Sequence, residues 1–159
     1  MFFWFGLAMF ETRNEKDVRE FFDRWGTAVF TFCRLFLGNE GDANEATVEA
    51  FIEYLRPGLT LERKELPDLL LRCAVDAVKR RCSLRGPSTA DGRTLESAIR
   101  LLPCEQRAVF ILRDVLGLPE QAVATAFEFS GEQVRDLRLQ ALLAMRKLLP
   151  KDFWKEHTR

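Results

Sequence analysis

The stretch that most constrains this chain runs from Leu102 to Leu149, LPCEQRAVFILRDVLGLPEQAVATAFEFSGEQVRDLRLQALLAMRKLL. Its punctuation divides it into three helices, the last two meeting at a tight turn. Pro103 lacks the N–H that a first helical position leaves unused, and Glu105 suits the positive end of a helix that starts there. Val109, Leu112 and Leu116 recur at helical spacing, with Ala108 and Val115 widening the apolar face, until Gly117 offers a left-handed cap. Pro119 opens the next helix, whose buried face is predicted to be Ala122, Val123, Ala126 and Phe127. Ser130 and Gln133 have the spacing of a capping box, so the final helix starts at Gly131. Two short amphipathic helices joined by roughly four residues form a helix-turn-helix, a motif that can set its second helix in a DNA major groove.

Charge limits how such a motif can be used. Lys plus Arg and Asp plus Glu number 24 each, so no broad basic field draws the chain onto nucleic acid, and any DNA contact is local or assisted. At 159 residues and 47% apolar content, the chain can bury a core in one domain or two small ones. Cys33, Cys73, Cys82 and Cys104 form no C-x-x-C pair, and the single histidine is His157 in the tail. A metal site, a Cys/His nucleophile and a disulfide framework are therefore not expected, and the cysteines read as small core residues in a reducing cytoplasm. With no paired catalytic carboxylates and no Gly-rich phosphate loop, neither an enzymatic activity nor a cofactor is expected.

The opening run MFFWFGLAMF is too short to span a bilayer and lacks a signal peptide's basic flank. Three readings stay open for residues 1–16: an added N-terminal helix packed through Phe2, Phe3, Trp4 and Phe5, a contact with a partner or membrane surface, or a start set too early. From Asp17 to Leu37 the positions Val18, Phe21, Phe22, Trp25, Val29, Phe32, Cys33 and Phe36 keep helical spacing, and Gly38-Asn39 ends the helix. Asp42 with Glu45 predicts the cap of a second helix, which faces the core through Ala46, Ala50, Phe51 and Tyr54 before Pro57-Gly58. Its other face carries Glu45, Glu49 and Glu53. A third helix over Leu66 to Cys82 turns Leu69, Leu70, Cys73, Ala74, Ala77 and Val78 inward and ends in Lys79, Arg80, Arg81 and Arg85. Those cations suit a helix C-terminus and equally a phosphate. The stretch SLRGPSTADGR, Ser83 to Arg93, has no apolar period and marks a linker. The predicted fold is all-α, with a three-helix domain over residues 17–85, a linker over 86–96, a helix-turn-helix domain over 97–149 and a tail over 150–159.

Taken together, these stretches resemble a sigma factor of bacterial RNA polymerase, of the extracytoplasmic-function type that keeps only regions 2 and 4. Arg24 to Phe30, continuing to Leu37-Gly38-Asn39, is similar to the first helix of region 2. Asp42-Ala43-Asn44-Glu45-Ala46, with Glu49, Phe51 and Tyr54, is similar to the acidic helix that the family docks on the coiled coil of the polymerase's largest subunit. Leu102-Pro103 through Arg107, Leu112-Arg113, Gly117-Leu118, Val134 and Ala141 follow region 4.

The resemblance implies a cytoplasmic transcription initiation factor whose partners are core polymerase and promoter DNA, with an anti-sigma factor as a further possible partner. It assigns polymerase contacts to Asp42, Asn44, Glu45, Glu49 and Glu53. Minus-10 contacts fall on Asp76, Lys79, Arg80, Arg81 and Arg85, and minus-35 contacts on Arg107, Glu132, Gln133, Arg135, Asp136, Arg138 and Gln140.

The chain also departs from the family. Where region 2 usually carries a tryptophan, an asparagine and an aspartate, Leu69, Asp76 and Arg80 stand. Region 4 commonly has arginines where this chain has Leu137, Gln140 and Leu142, and Asp136 adds a negative charge. Leu137, Leu139, Leu142, Leu143 and Met145 make the last helix apolar on most sides, which predicts burial on most sides or a protein partner. The alternative expectation is a sigma-like interaction module with weak or no promoter recognition.

Overall fold

Helix α1, Glu15–Leu37, buries Phe21, Val29, Phe32, Cys33 and Phe36 along one stripe, as the spacing predicts, whereas Phe22, counted with them, is exposed and Val18 and Trp25 are half-buried. It stops at Gly38, whose φ of +80° lies in the left-handed region, and the Gly38 amide donates to the Arg34 carbonyl at 2.9 Å. A side chain at Gly38 would also collide with Arg100, so both backbone conformation and close packing call for glycine there. The computed structural model describes residues 15–56, 67–83 and 91–153. The N-terminal aromatic run, Leu66, Arg85 and most of the tail lie outside the described residues.

Helix α2, Glu40–Tyr54, is capped by Asn39 and not, as its sequence suggests, by Asp42. Asn39 has extended backbone angles, and its side-chain oxygen accepts the Asp42 amide at 2.8 Å. Asp42 is already inside the first turn, where its carboxylate accepts from Asn39 Nδ2 at 2.5 Å and faces the positive helix end. Phe51 and Tyr54 seat α2 on α1. The Phe21 and Tyr54 rings stack at 5.1 Å between centroids, and Phe21 meets Phe51 edge-on at 6.0 Å.

Helix α3, Asp68–Ser83, packs against both. Its core positions are Leu70, Leu71, Cys73, Ala74, Val75, Ala77 and Val78. Leu69, predicted to face the core, is instead exposed, because Leu70, Leu71, Ala74 and Val78 fix the helix phase and turn its Cβ to solvent.

A short helix α4, Leu95–Leu101, occupies residues assigned in part to the linker. Thr94 and Ser97 form its capping box, each taking the other's backbone N–H. Seven residues give little periodicity to detect, so the cap rather than the apolar pattern is its sequence signal. Helix α5, Cys104–Phe110, widens into a π-helical turn over Ile111–Val115, with Leu116 N bonded to Ile111 O at 2.9 Å. Gly117 then turns the chain at φ +69°. Helix α6, Glu120–Phe127, and helix α7, Gly131–Leu148, complete the predicted helix-turn-helix. The Ser130/Gln133 box forms as expected, with bonds of 2.8 and 3.1 Å. Glu128 closes α6 in the left-handed region at φ 57°.

The buried apolar side chains form one continuous cluster from Phe21 to Leu149. Helix α1 reaches α4 and α5, α3 lies against α6, and α5 and α6 hold α7. Within α7 only Val134, Ala141 and Met145 are fully buried. Leu139 and Leu143, expected either to be buried or to be offered to a protein partner, are 57% and 53% exposed, since the α5 and α6 surfaces contact one stripe of the helix. Among the described residues, no helix is long and apolar enough to cross a membrane.

Candidate functional site

The outer face of α2 forms an open groove of about 540 Å³ between Asn44, Glu45, Val48, Glu49, Ile52, Glu53, Arg56 and Arg81. Its floor comes from Val48 and Ile52, which are one helical turn apart and 52% and 56% exposed. Ala43, Ala46, Ala50 and Phe51 point the other way into the core, so the groove is the face of α2 that this fold leaves over. Glu45 and Asn44 are exposed along its rim, while Glu53 pairs with Arg56 at 3.0 Å. Four of the five residues assigned to the polymerase therefore line one apolar-floored surface whose rim carries three glutamates and the arginines Arg56 and Arg81. Asp42 does not, being engaged at the helix start.

Sequence reasoning saw the glutamates and missed the valine and isoleucine between them. Val48 and Ile52 are the signal, a pair at i and i+4 out of phase with the core stripe.

Glu49 has a second attachment. Its carboxylate accepts from Arg80, including Nε at 3.0 Å, and from Arg81 Nη1, so α3 and α2 are clamped across the groove edge. Arg81 also lies 3.8 Å from Glu45. Burial works against the charged form of Glu49, but the hydrogen bonds from Arg81 and then Arg80 outweigh it and hold the carboxyl below its ordinary range. Two residues assigned to DNA and two assigned to polymerase are thus brought together as partners.

The remaining minus-10 residues divide. Asp76 is exposed on α3, whereas the Lys79 ammonium sits 4.9 Å from the centre of the Phe127 ring on α6. Next to it, Arg72 pairs with Glu128 at 2.7 Å, so this cationic flank of α3 rests on the first helix of the helix-turn-helix.

The minus-35 residues show the same self-pairing. Arg138 holds Asp114 through Nε and Nη2 at 2.6 to 3.0 Å, and that carboxylate raises the guanidinium's pKa above its ordinary value. Arg135 holds Glu120 at 2.6 Å, and Gln140 pairs with Gln106 at 2.9 Å. Gln133 caps α7, and Glu132 and Asp136 are exposed.

Arg107 stands apart from this set. Its guanidinium donates to Phe36 O at 3.0 Å, Arg100 O at 2.6 Å and Leu102 O at 3.0 Å, and lies 5.1 Å from the Phe36 ring centre. It joins the ends of α1 and α4 to α5 from a half-buried position. Arg113 likewise bonds the Leu118 carbonyl and closes the turn after α5.

Among the described residues, no group of three or more His, Cys, Asp or Glu side chains converges as a metal site would require. No model of a known protein family matches the chain, and no curated protein matches its sequence.

Proposed function

We propose that this protein is a transcription initiation factor of the extracytoplasmic-function sigma type. It joins core RNA polymerase through α2 and carries promoter contacts on α3 and α7, with no catalytic step of its own. In this proposal residues 17–85 and 97–149 act as two lobes joined by a linker, working in the bacterial cytoplasm, with an anti-sigma factor as a possible antagonist.

The observation that supports it most is the α2 groove. An apolar pair of about one turn, rimmed by Glu45, Glu49 and Glu53, suits a helix that presents an apolar ridge flanked by Arg and Lys, which would compete with Arg56, Arg80 and Arg81 for those carboxylates. The apolar floor supplies desolvation and the rim glutamates set orientation and on-rate. The helix-turn-helix of α6 and α7, held by its capping box, is the second support.

A second function, a sigma-like interaction module with weak promoter recognition, is favoured by one specific feature. Arg80, Arg81, Arg135 and Arg138 all have carboxylate partners inside the chain. Each must exchange an internal ion pair for a phosphate, which lowers the net gain per contact and leaves a carboxylate near DNA.

Ile52→Asp combined with Glu45→Lys tests the polymerase contact at exposed positions that leave the core untouched. Co-purification with core polymerase is expected to fall at least about tenfold, equivalent to losing roughly 1.4 kcal/mol. Undiminished co-purification removes the groove from the proposal. Run-off transcription with core polymerase separates the two functions, since polymerase binding without initiation on any promoter leaves only the interaction module.

A further inference from the structure

Helix α7 buries Val134, Ala141 and Met145, and its opposite face carries a row of side chains that the fold leaves uncovered. Glu132, Asp136, Leu139, Leu143 and Arg146 follow one another at alternating spacings of four and three, which places them on one stripe of the helix. All five are exposed, Leu139 and Leu143 by more than half. The stripe starts with carboxylates, has two leucines one turn apart at its centre, and ends with Arg146 beside Lys147. Among the described residues neither Asp136 nor Arg146 has an ion-pair partner, whereas Arg135 and Arg138 beside them do. The helix dipole accounts for the order of the charges but not for leucines standing in water between them. Phosphate is a poor match for the stripe as well, since Asp136 repels it and leucine gives it no donor.

Counted from Ala141, Leu139 and Leu143 lie two residues away on either side, and Asp136 and Arg146 lie five residues away on either side. A two-fold axis crossing α7 at that level therefore sets Leu139 against Leu143 of a second copy, and Asp136 against its Arg146, twice each. We propose that this face is a self-association surface, on which α7 pairs in antiparallel register with α7 of a second copy of this chain. The spacing is that of a coiled-coil seam, with four leucines at its centre and an ion pair at each end. Parallel pairing would set Asp136 against its own copy, so charge selects the antiparallel arrangement.

A seam of about three turns is shorter than a stable interface needs, so the dissociation constant is expected on the order of 10–100 μM. Pairing covers the stripe to which the function proposed above assigns promoter contacts, so self-association and promoter binding exclude each other. That consequence rests on the proposed function, whereas the pairing itself does not.

Sedimentation velocity on the full chain between about 2 and 500 μM brackets the expected constant and reads the pairing. The weight-average mass is expected to rise from the monomer's 18.4 kDa towards twice that value. D136R alone and R146D alone each set like charges against one another at both ends of the seam, and each should weaken association at least about tenfold. An equimolar mixture of the two variants restores both opposite-charge pairs and should associate as wild type does, a recovery that misfolded chains would not show. A wild-type mass that stays at the monomer value overturns the proposal, and it is the result expected if residues 1–14 of the same chain cover the leucines instead. Association that neither variant weakens, or a mixture that stays monomeric, overturns it equally. Loss of core polymerase binding in the groove variant leaves these outcomes unchanged, so the two proposals fail separately.

Discussion

Arg107→Ala is expected to lower stability by about 3 kcal/mol, because it removes a tie among three helix ends. The guanidinium serves carbonyls from the last turn of α1 and from the end of α4, at 2.6 to 3.0 Å, while its own backbone belongs to α5. Hydrogen bonds from a charged donor contribute about 1.5–3 kcal/mol each, and the contact with the Phe36 ring adds about 0.5–1. The simple sum overstates the loss. Arg107 is half-buried, so water can enter the truncated site and rehydrate part of the carbonyl set, and its Nε donor is already buried without a partner. For a chain of this size, about 3 kcal/mol corresponds to a fall in melting temperature of roughly 6–12 °C. Urea unfolding followed by circular dichroism should show a lower midpoint with unchanged slope. Arg107→Lys should recover less than half of the loss, since a single ammonium cannot reproduce a planar fork spanning two helices. A melting temperature within about 2 °C of wild type in the alanine variant would refute the reasoning and return Arg107 to the promoter-contacting role that its sequence position suggests.

Two further outcomes follow from particular side chains. Glu128→Gly should stabilise the protein by up to about 1 kcal/mol in thermal melts, because it relieves a left-handed non-glycine residue at the cost of an exposed pair with Arg72 worth about 0–0.5 kcal/mol. A destabilised variant would mean that the Arg72 contact outweighs the backbone strain. Glu49 acts through pH. Its carboxyl is depressed in the folded state, so the stability it contributes is complete above the ordinary glutamate value of about 4.3 and is lost as pH falls through the lower folded value. Glu49→Gln should consequently lose less stability than wild type between about pH 5 and 3, and parallel urea midpoints across that range would remove the Arg80/Arg81 clamp as its cause.

The helices were legible to very different degrees. Those of the second half announce themselves through Pro119, Gly117 and the Ser130/Gln133 box, since caps and breakers act over three or four residues and need no distant partner. The start of α2 was misassigned for a local reason, two side-chain caps close together, of which Asn39 has the extended backbone a cap requires. Helix α4 was missed because its seven residues are too few for periodicity. Leu69 was placed inward because apolar spacing along one helix allows more than one phase, and the phase is set by what the helix packs against.

The same division holds for the candidate site. The sequence by itself determined that the chain is helical, that it ends in a helix-turn-helix, and which residues carry charge on each helix. Those properties follow from spacing and capping, which are local. Only the tertiary structure decided how the charges are used. Glu49 meets Arg80 and Arg81 from another helix, Arg138 meets Asp114, and Arg107 turns inward to three carbonyls. Ion pairs across helices depend on which faces the core forces together, and no pattern along one helix records them. The exposed Val48 and Ile52 were decided in the same way, by the packing of α1, α2 and α3 around one apolar cluster.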